Sequence, residues 1–336
     1  AIGYSAGTAL TTGGSNVFIG NNAAGTGVVT GANNIGIGAN SCENMTSGNT
    51  NVGIGARTLH ATTTGVKNTC VGMEAGEDMV SAQNSTLMGY RTGYVNTAHE
   101  LTAFGSESAL ANTSGAGITA IGREAYKTGD TESHNMAIGL QTMDTGVNGG
   151  EYNVAVGNFA LKRITSADSC TAVGYQAGND KTSGNHGTFI GYNAGLNCTT
   201  GTDVTFVGSE AGDGHDTESY NTGVGSGALG GPIAGGEYNV AVGAYTLDAL
   251  TAGDANVAVG YSALGAVLDG GSLVGIGHNA GSNITTGGNS IFIGDATQAS
   301  GATVGNEVVI GYASTGKGAN TGFINANGGN VFQGNN

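Results

Sequence analysis

The sequence predicts an all-β fold, a parallel β-solenoid, because it repeats with one short period over almost its whole length. In 336 residues, a glycine preceded by an apolar residue recurs nineteen times, and all but four of the 18 intervals are 17 residues long. These anchor glycines are Gly3, Gly20, Gly38, Gly55, Gly72, Gly89, Gly105, Gly122, Gly139, Gly157, Gly174, Gly191, Gly208, Gly225, Gly243, Gly260, Gly277, Gly294 and Gly311. A sustained period of this length is typical of solenoids, which stack one repeat on the next.

The residues before each anchor glycine, taken as position 0, predict a short strand. Position −1 is Ile or Val in 17 of 19 modules, and position −3 is Val, Ile or Thr in 17 of the 18 that have one, as in Val52-Gly53-Ile54-Gly55. β-Branched residues alternating with period two indicate a strand with −1 and −3 on one face. We expect that face to point inward, and we expect about 19 rungs in all.

Asparagine marks the entry to the strand. Half of the 18 available modules carry Asn at position −4, namely Asn16, Asn34, Asn51, Asn68, Asn135, Asn153, Asn221, Asn239 and Asn256. Asn accepts corner conformations and bonds nearby backbone, and equivalent Asn side chains on stacked rungs form hydrogen-bonded ladders. These residues are therefore predicted to be structural.

A small residue follows each anchor glycine. Position +3 is Ala, Ser or Thr in all 19 modules, which predicts close approach of backbone there, either across a narrow solenoid or towards a symmetry axis. The next residue is commonly Gly or Leu, which indicates a second short strand or an exit turn. The structural residues that best represent the repeat are Gly55, Gly72, Gly157, Gly174, Gly191, Gly243, Gly260, Ala177, Ala194 and Ala263.

The repeat sets the predicted domain organisation. Residues 1–311 form the repeat shaft, with polar outer loops between strands, and residues 312–336 form a Gly/Asn-rich C-terminal cap or linker. The chain opens inside a repeat without an initiator Met, so we expect a processed or partial chain.

Charge and composition argue against several partners. The formal net charge is −15 and only 10% of residues are charged, so no basic surface for nucleic acid or anionic lipid is expected. No run of 18 apolar residues occurs, and membrane insertion is not expected. The 66 glycines lack the three-residue period of collagen.

The modules also resemble known repeats. Asn-Thr/Val-Ala-Val-Gly followed by x-x-Ala-Gly or x-x-Ala-Leu is similar to the head repeats of YadA-type trimeric autotransporter adhesins, whose repeat is shorter. A closer resemblance is to the 17-residue repeats of bacteriophage tail-fibre proteins, as in Asn221-Thr222-Gly223-Val224-Gly225-Ser226-Gly227-Ala228-Leu229, and it covers residues 1–311. The resemblance implies a left-handed β-roll in a homotrimer exposed on a virion tail or an extracellular surface.

The function expected from these observations is structural. We expect a non-enzymatic shaft of a tail fibre or surface adhesin, which holds or presents elements that bind a host cell-surface receptor or glycan and which contacts other virion tail proteins. A self-assembling extracellular filament is the main alternative. An ice-binding solenoid would need a flat, outward array of threonines, whereas Thr at position −3 is expected to point inward. A polysaccharide-cleaving tailspike would need carboxylates clustered in a groove.

Few residues suggest chemistry. No cofactor is expected except Ca²⁺, for which Asp130 and Glu132, repeated 86 residues later as Asp216 and Glu218, are candidate ligands if their loops converge. The four cysteines and six histidines share no offset and predict neither a metal site nor a catalytic set. Six tyrosines at position +1 are expected to stack on the neighbouring rung or on sugars.

Overall fold

A computed structural model of the chain describes residues 1–8 and 10–325 and shows an all-β solenoid in these residues. The chain divides into two compact units, Ala1–Cys170 and Thr171–Asn336. The first unit contains β1 Val17–Ile19, β2 Ile35–Ile37, β3 Val52–Ile54, β4 Thr69–Val71, β5 Thr86–Met88, β6 Thr102–Phe104, β7 Thr119–Ile121, β8 Met136–Ile138 and β9 Val154–Val156. The second contains β10 Thr171–Val173, β11 Thr188–Ile190, β12 Thr205–Val207, β13 Thr222–Val224, β14 Val240–Val242, β15 Val257–Val259, β16 Val274–Ile276, β17 Ile291–Ile293, β18 Glu307–Ile310 and β19 Thr321–Ile324.

Each strand pairs in parallel with the next strand of its unit, and the register follows the repeat. In the first unit Val52 lies opposite Thr69, and in the second Thr188 lies opposite Thr205. Equivalent positions therefore form straight columns along each sheet, at the spacing of about 4.8 Å between paired strands. The predicted parallel solenoid with one strand per repeat is confirmed.

The expectation about which strand face points inward was wrong. Position −2 faces the interior and is fully buried, as at Leu87 and Phe206, while the flanking −3 and −1 side chains face outward. Ile54 and Ile190, both at position −1, are each 39% exposed. Period-two alternation fixes which residues share a face, but it does not say which face meets the core.

The interior of one coil is narrow, which explains why only one side chain per strand enters it. Positions −2 and +4 of the same repeat share that space and compensate in size. Phe206 at −2 is paired with Gly212 at +4, where an added Cβ would lie 2.4 Å from two Phe206 ring carbons. Gly53 at −2 is paired instead with the buried Leu59 at +4. In these two repeats a small residue at one of the positions accompanies a large residue at the other. Gly275 and Gly281 are both small in one later repeat, where Leu264 of the preceding turn takes up the space.

The anchor glycines are required by both conformation and contact. Gly55 has a φ of +137°, in the region that side chains disfavour, and an added Cβ would lie 2.5 Å from the carbonyl oxygen of Gly72. Gly191 has a φ of +140°, and its Cβ would lie 2.3 Å from the Gly208 oxygen. The backbone of each of these anchor glycines therefore packs directly against the carbonyl group of the next one.

The small residues at +3 line the interior of a single coil. Ala177, Ala194 and Ala263 are fully buried within the chain, so the close approach is across a narrow solenoid and not towards a symmetry axis. Where this residue is Thr, its hydroxyl donates to an anchor carbonyl, as from Thr58 Oγ1 to Gly72 O at 2.8 Å. The residues from +3 onward form turns, so the structure supports an exit turn there and shows no second strand at these positions.

The predicted asparagine ladder is confirmed. Asn51 is fully buried, its Nδ2 donates to Asn34 Oδ1 at 3.1 Å and to Gly65 O at 2.7 Å, and its Oδ1 accepts from the Asn68 amide at 3.0 Å. Each side chain thereby satisfies backbone groups at the corner that leads into the strand.

Strand pairing continues past the last anchor glycine. In β19, Thr321 and Ile324 lie opposite Glu307 and Ile310 of β18. This strand belongs to the segment 312–336 that the sequence sets apart as a Gly/Asn-rich cap or linker, and residues 326–336 of that segment lie outside the described residues.

Candidate interaction surface

The outward face of the strands is the most distinctive surface of each unit. In the second unit, position −3 forms a column of four threonines, Thr171, Thr188, Thr205 and Thr222, followed by Val240. Beside it, position −1 forms a column of Val and Ile, in which Val173, Ile190, Val242, Val259 and Ile276 are exposed. We call these two columns, in either unit, the outward strand face.

The first unit repeats this arrangement. Thr69, Thr86, Thr102 and Thr119 form consecutive partners at position −3, and the neighbouring −1 column includes the exposed Met88, which is 46% accessible. From β1 to β17 neither column contains a charged residue. An ordered surface of Val, Ile and Thr without charges is unusual on the outside of a protein, which makes this face a candidate interaction surface.

Tyrosines occur along the chain both just before and just after strands. Tyr175 and Tyr192, at position +1, stack with ring centroids 5.6 Å apart, and Tyr220 and Tyr238, at position −5, stack at 5.0 Å. The predicted stacking between neighbouring rungs is therefore confirmed for the first pair. All four rings stay exposed, with Tyr192 51% accessible, and such partly exposed tyrosines are common in interfaces.

The four candidate calcium ligands lie in two equivalent loops, one in each unit. Glu132 is buried, and its carboxylate accepts from the Asp130 and Thr131 amides at 3.2 and 3.3 Å and from the Gly149 amide at 2.7 Å. Its repeat, Glu218, accepts in the same way from Asp216, Thr217 and Gly235. These contacts give both glutamates a role in closing their own loops.

The backbones of the two aspartates make the same contact: Asp130 O accepts from the Thr113 amide at 2.7 Å, and Asp216 O accepts from the Thr199 amide at 2.8 Å. Asp216 Oδ1 also accepts from the Thr199 hydroxyl. Within residues 1–8 and 10–325, no group of three or more His, Cys, Asp or Glu side chains is arranged to hold a metal ion.

A pocket that sequence reasoning missed lies in the second unit, with a volume of about 220 Å³. It exists because Gly227 and Gly230 leave one turn without side chains between the carboxylates of Glu210 and Asp213 on one side and Asp248 on the other. Burial raises the pKa of Asp213, as does the nearby charge of Glu210, and burial likewise raises the pKa of Asp248. Carboxylates beside the Tyr245 ring, which also lines the pocket, can hydrogen-bond hydroxyl groups or attract a cation. Gly227 and Gly230 are the feature of the sequence that could have indicated this pocket.

The first unit places oppositely charged side chains on its turns. Lys127 Nζ lies 2.8 Å from Glu107 Oε2 and 3.4 Å from Glu124 Oε1, and Arg91 lies 3.4 Å from Glu74. Hydrogen bonding from Gln141, together with the cations, lowers the pKa of Glu124. These side chains are only partly exposed, at 16–33%, and ion pairs with this much solvent access contribute little stability.

Three of the cysteines and one histidine lie in the interior of the coil. Cys42, Cys70 and Cys198 are fully buried, and desolvation raises the pKa of Cys42 to about 12. His215 is also fully buried and packs on Phe206, with ring centroids 4.6 Å apart. All four side chains fill the interior of the coil, where the thiols of Cys42 and Cys70 behave as small apolar groups.

The described part of the chain contains no helix with the length and apolarity needed to cross a membrane. In comparisons with known proteins, the chain matches no family model, no curated protein and no solved structure.

Proposed function

We propose that this protein is a non-enzymatic shaft of a tail fibre or surface adhesin, assembled as a homotrimer of left-handed β-rolls on a virion tail or an extracellular surface. In this role it holds or presents elements that bind a host receptor or glycan and joins other proteins of the same appendage. The resemblance of its 17-residue modules to tail-fibre repeats supports the handedness and the trimer.

The observation that carries the proposal is the outward strand face. A single coil leaves rows of Val, Ile and Thr in solvent, as at Ile190 and Ile276, although its interior is already filled. Burial of apolar area contributes roughly 25 cal/mol per Å², so packing these rows against other copies is strongly favourable. A repeated surface on each copy gives the same contact on every rung, which suits a symmetric assembly.

The backbone supplies the mechanical property that a shaft needs. Each turn is joined to the next by strand pairing, by anchor contacts such as Gly55 N to Ile37 O at 2.8 Å, and by the asparagine ladder. Few backbone amides at these corners are left for water or for a protease to engage, which favours a persistent, protease-resistant coil.

The direct test is the solution mass of the purified chain, measured by light scattering over a range of concentrations. A mass of three chains that does not change with concentration supports the shaft. A series of masses that grows with concentration would instead support the self-assembling filament, and a monomer would contradict both. A glycan-release assay separates the shaft from a polysaccharide-cleaving tailspike, because a shaft releases no product.

One observation favours a second candidate, an ice-binding solenoid. The threonines of position −3 point outward, so the objection that they face inward no longer holds, and Thr188 and Thr205 form part of an ordered row. A monomer that slows ice recrystallisation, and loses this effect when Thr188 and Thr205 are replaced by Lys, would favour this candidate over the shaft. The Val and Ile that continue the same column from Val240 onward favour assembly.

A further inference from the structure

Three adjacent turns of the second unit place reactive side chains where three later turns have aliphatic ones. Position +7 is buried in the interior, and it is Leu250, Val267 and Ile284 in later turns. In three earlier, consecutive turns the same position carries Lys181, Cys198 and His215, all fully buried. A lysine inside a coil this narrow is the least expected of the three, because burying an ammonium group is costly unless it is well paired.

The lysine amine lies against the cysteine sulfur. Lys181 Nζ is 3.9 Å from Cys198 Sγ, and it donates a hydrogen bond to the Gly201 carbonyl oxygen. Neither partner is a carboxylate. The amine is thus held at contact distance from a thiol, and the fold fixes the two groups one turn apart.

We propose that Lys181 and Cys198 form an oxidative cross-link, a sulfenamide bond between Nζ and Sγ, when the protein meets hydrogen peroxide. The inference rests on this pair alone and does not depend on the shaft proposed above. Its product is a covalent staple between two successive turns of the solenoid.

The chemistry balances with one equivalent of peroxide. The Cys198 thiolate attacks one peroxide oxygen, the O–O bond breaks, and a sulfenic acid and hydroxide form. The Lys181 ammonium gives its proton to that hydroxide, forming water and leaving a neutral amine. The amine then attacks the Cys198 sulfur, the S–N bond forms, the S–O bond breaks, and the nitrogen loses one proton as a second water leaves.

The geometry favours this outcome over further oxidation. A sulfenic acid in water is carried up to sulfinic acid by more peroxide, unless a nucleophile traps it first. Here the trapping amine is already in place, and proximity of this kind accelerates a reaction strongly. Two other cysteines of the chain provide an internal comparison: Cys42 Sγ contacts Ser41 Oγ at 3.8 Å, and Cys70 Sγ contacts Met79 Sδ at 4.0 Å.

The test treats the whole native protein with graded hydrogen peroxide, followed by unfolding, alkylation of remaining thiols, tryptic digestion and mass spectrometry. We expect trypsin not to cleave after the modified Lys181, so that Lys181 and Cys198 lie in one peptide, residues 164–317, with a mass two hydrogen atoms below that of the same uncleaved peptide. A thiol reductant followed by a second digestion should give the separate peptides 164–181 and 182–317. Cys42 and Cys70 should give no linked peptide.

Two controls separate geometry from general reactivity. The first control is Lys181→Met, because position +7 already carries methionine in two other turns, at Met45 and Met79. This variant keeps the coil and removes the amine, so the link should disappear. Wild-type protein oxidised in denaturant should give unlinked Cys198 oxidation products. The proposal is overturned if native Cys198 stays alkylatable or reaches sulfinic acid without a link, or if the link forms equally in the denatured chain.

Discussion

At the residue scale, the buried asparagines stabilise the corners of the coil more than any other polar group. Asn51 donates two hydrogen bonds and accepts others in a site without solvent access. Removing its side-chain amide leaves the Gly65 carbonyl and the Asn68 backbone amide without these partners, at about 1–3 kcal/mol for each unsatisfied group, whereas Asn34 Oδ1 still accepts from the Asn51 backbone amide.

We therefore expect Asn51→Ala to lower the free energy of unfolding by about 2–4 kcal/mol, which denaturant titration followed by circular dichroism would measure. Asn51→Asp is the matched variant, since it keeps the acceptor but cannot donate to Gly65 O. An unchanged midpoint for both variants would show that the ladder does not stabilise the coil.

An anchor glycine gives a second prediction at this scale. Gly55→Ala forces a side chain into a backbone with φ of +137° and places its Cβ 2.5 Å from the Gly72 oxygen, so it should destabilise the first unit by about 1–3 kcal/mol or more. The control is Gly14→Ala, because an added Cβ there meets no atom within 4 Å. Equal thermal midpoints for the two variants would contradict this account of the repeat.

His215 makes stability depend on pH. Burial lowers its pKa from 6.5 to about 4, although the charge of Glu218 partly opposes the shift. The nearby Leu229 backbone also opposes the lowering of the pKa to a small extent. Neither ring nitrogen of His215 has a hydrogen-bond partner of acceptable geometry. Below pH 6.5 the unfolded chain binds a proton that the folded chain does not, so stability must fall as pH drops from 6.5 towards 4.

The expected loss from this one group is about 3 kcal/mol between pH 7 and pH 4, measured as a change in the free energy of unfolding. His215→Leu, which copies Leu250 at the same position, should be more stable and should lose this part of the pH dependence. A pH profile that is identical in the wild type and the variant would show that His215 is not held neutral in the folded state.

Residue-level prediction from sequence was accurate for groups that act locally. The Asn at −4 and the anchor glycines were identified because a corner and a positive φ restrict residue type strongly. The cost of Lys181 or His215 could not be foreseen, because position +7 falls in the variable segment and its burial depends on how the loop folds back over the coil.

At the element scale, the strand itself was predictable but its orientation was not. Val-Ala-Val at β9 and β14 has the same alternation whether its outer residues face in or out. The deciding fact is the size of the coil, since an interior already filled by the side chains at −2, +3, +4 and +7 has no room for two more β-branched residues per turn. The width of the coil depends on the turns, and the pattern of residues in the strand carries no information about them.

The pairing of −2 with +4 gives a prediction that belongs to this scale. Gly212→Leu alone should be strongly destabilising, because its Cβ would lie 2.4 Å from Phe206 ring carbons. Combined with Phe206→Gly it recreates the Gly223 and Leu229 pair of the next turn, and much of the lost stability should return. A double-mutant cycle on thermal midpoints would measure the coupling, and simple additivity would refute the shared cavity.

The +3 column also acts within one coil. Ala177 is fully buried in its own chain, so Ala177→Leu should overpack the interior and cost about 1–3 kcal/mol of stability, with no direct effect on contacts between chains. Thr200→Leu, on an exposed loop, is the matched control. If Ala177→Leu left stability intact but changed the number of chains per particle, the column would belong to an interface after all.

At the scale of the whole molecule, the repeat was sufficient to predict a solenoid, whereas the surfaces depend on three-dimensional detail. The Ca²⁺ hypothesis on Asp130 and Glu132 relied on a recurring acidic loop; the structure adds that Glu132 and Glu218 accept hydrogen bonds from backbone amides, and Ca²⁺ binding there stays a prediction. The pocket between Asp213 and Asp248 arises from two absent side chains, which no acidic motif marks. The outward strand face emerges only once the strand orientation is known.

The measurement that tests the central claim most directly is the solution mass of variants on that face, determined by light scattering at matched concentration. Ile190→Lys places a charge in the outward strand face, where the native side chain is 39% exposed, while Thr200→Lys places the same charge on an exposed loop. We predict that both remain folded, that Ile190→Lys reduces the assembly to single chains, and that Thr200→Lys keeps the wild-type mass. A folded Ile190→Lys protein with the same multimeric mass as the wild type would contradict the claim that copies of the chain associate through this face.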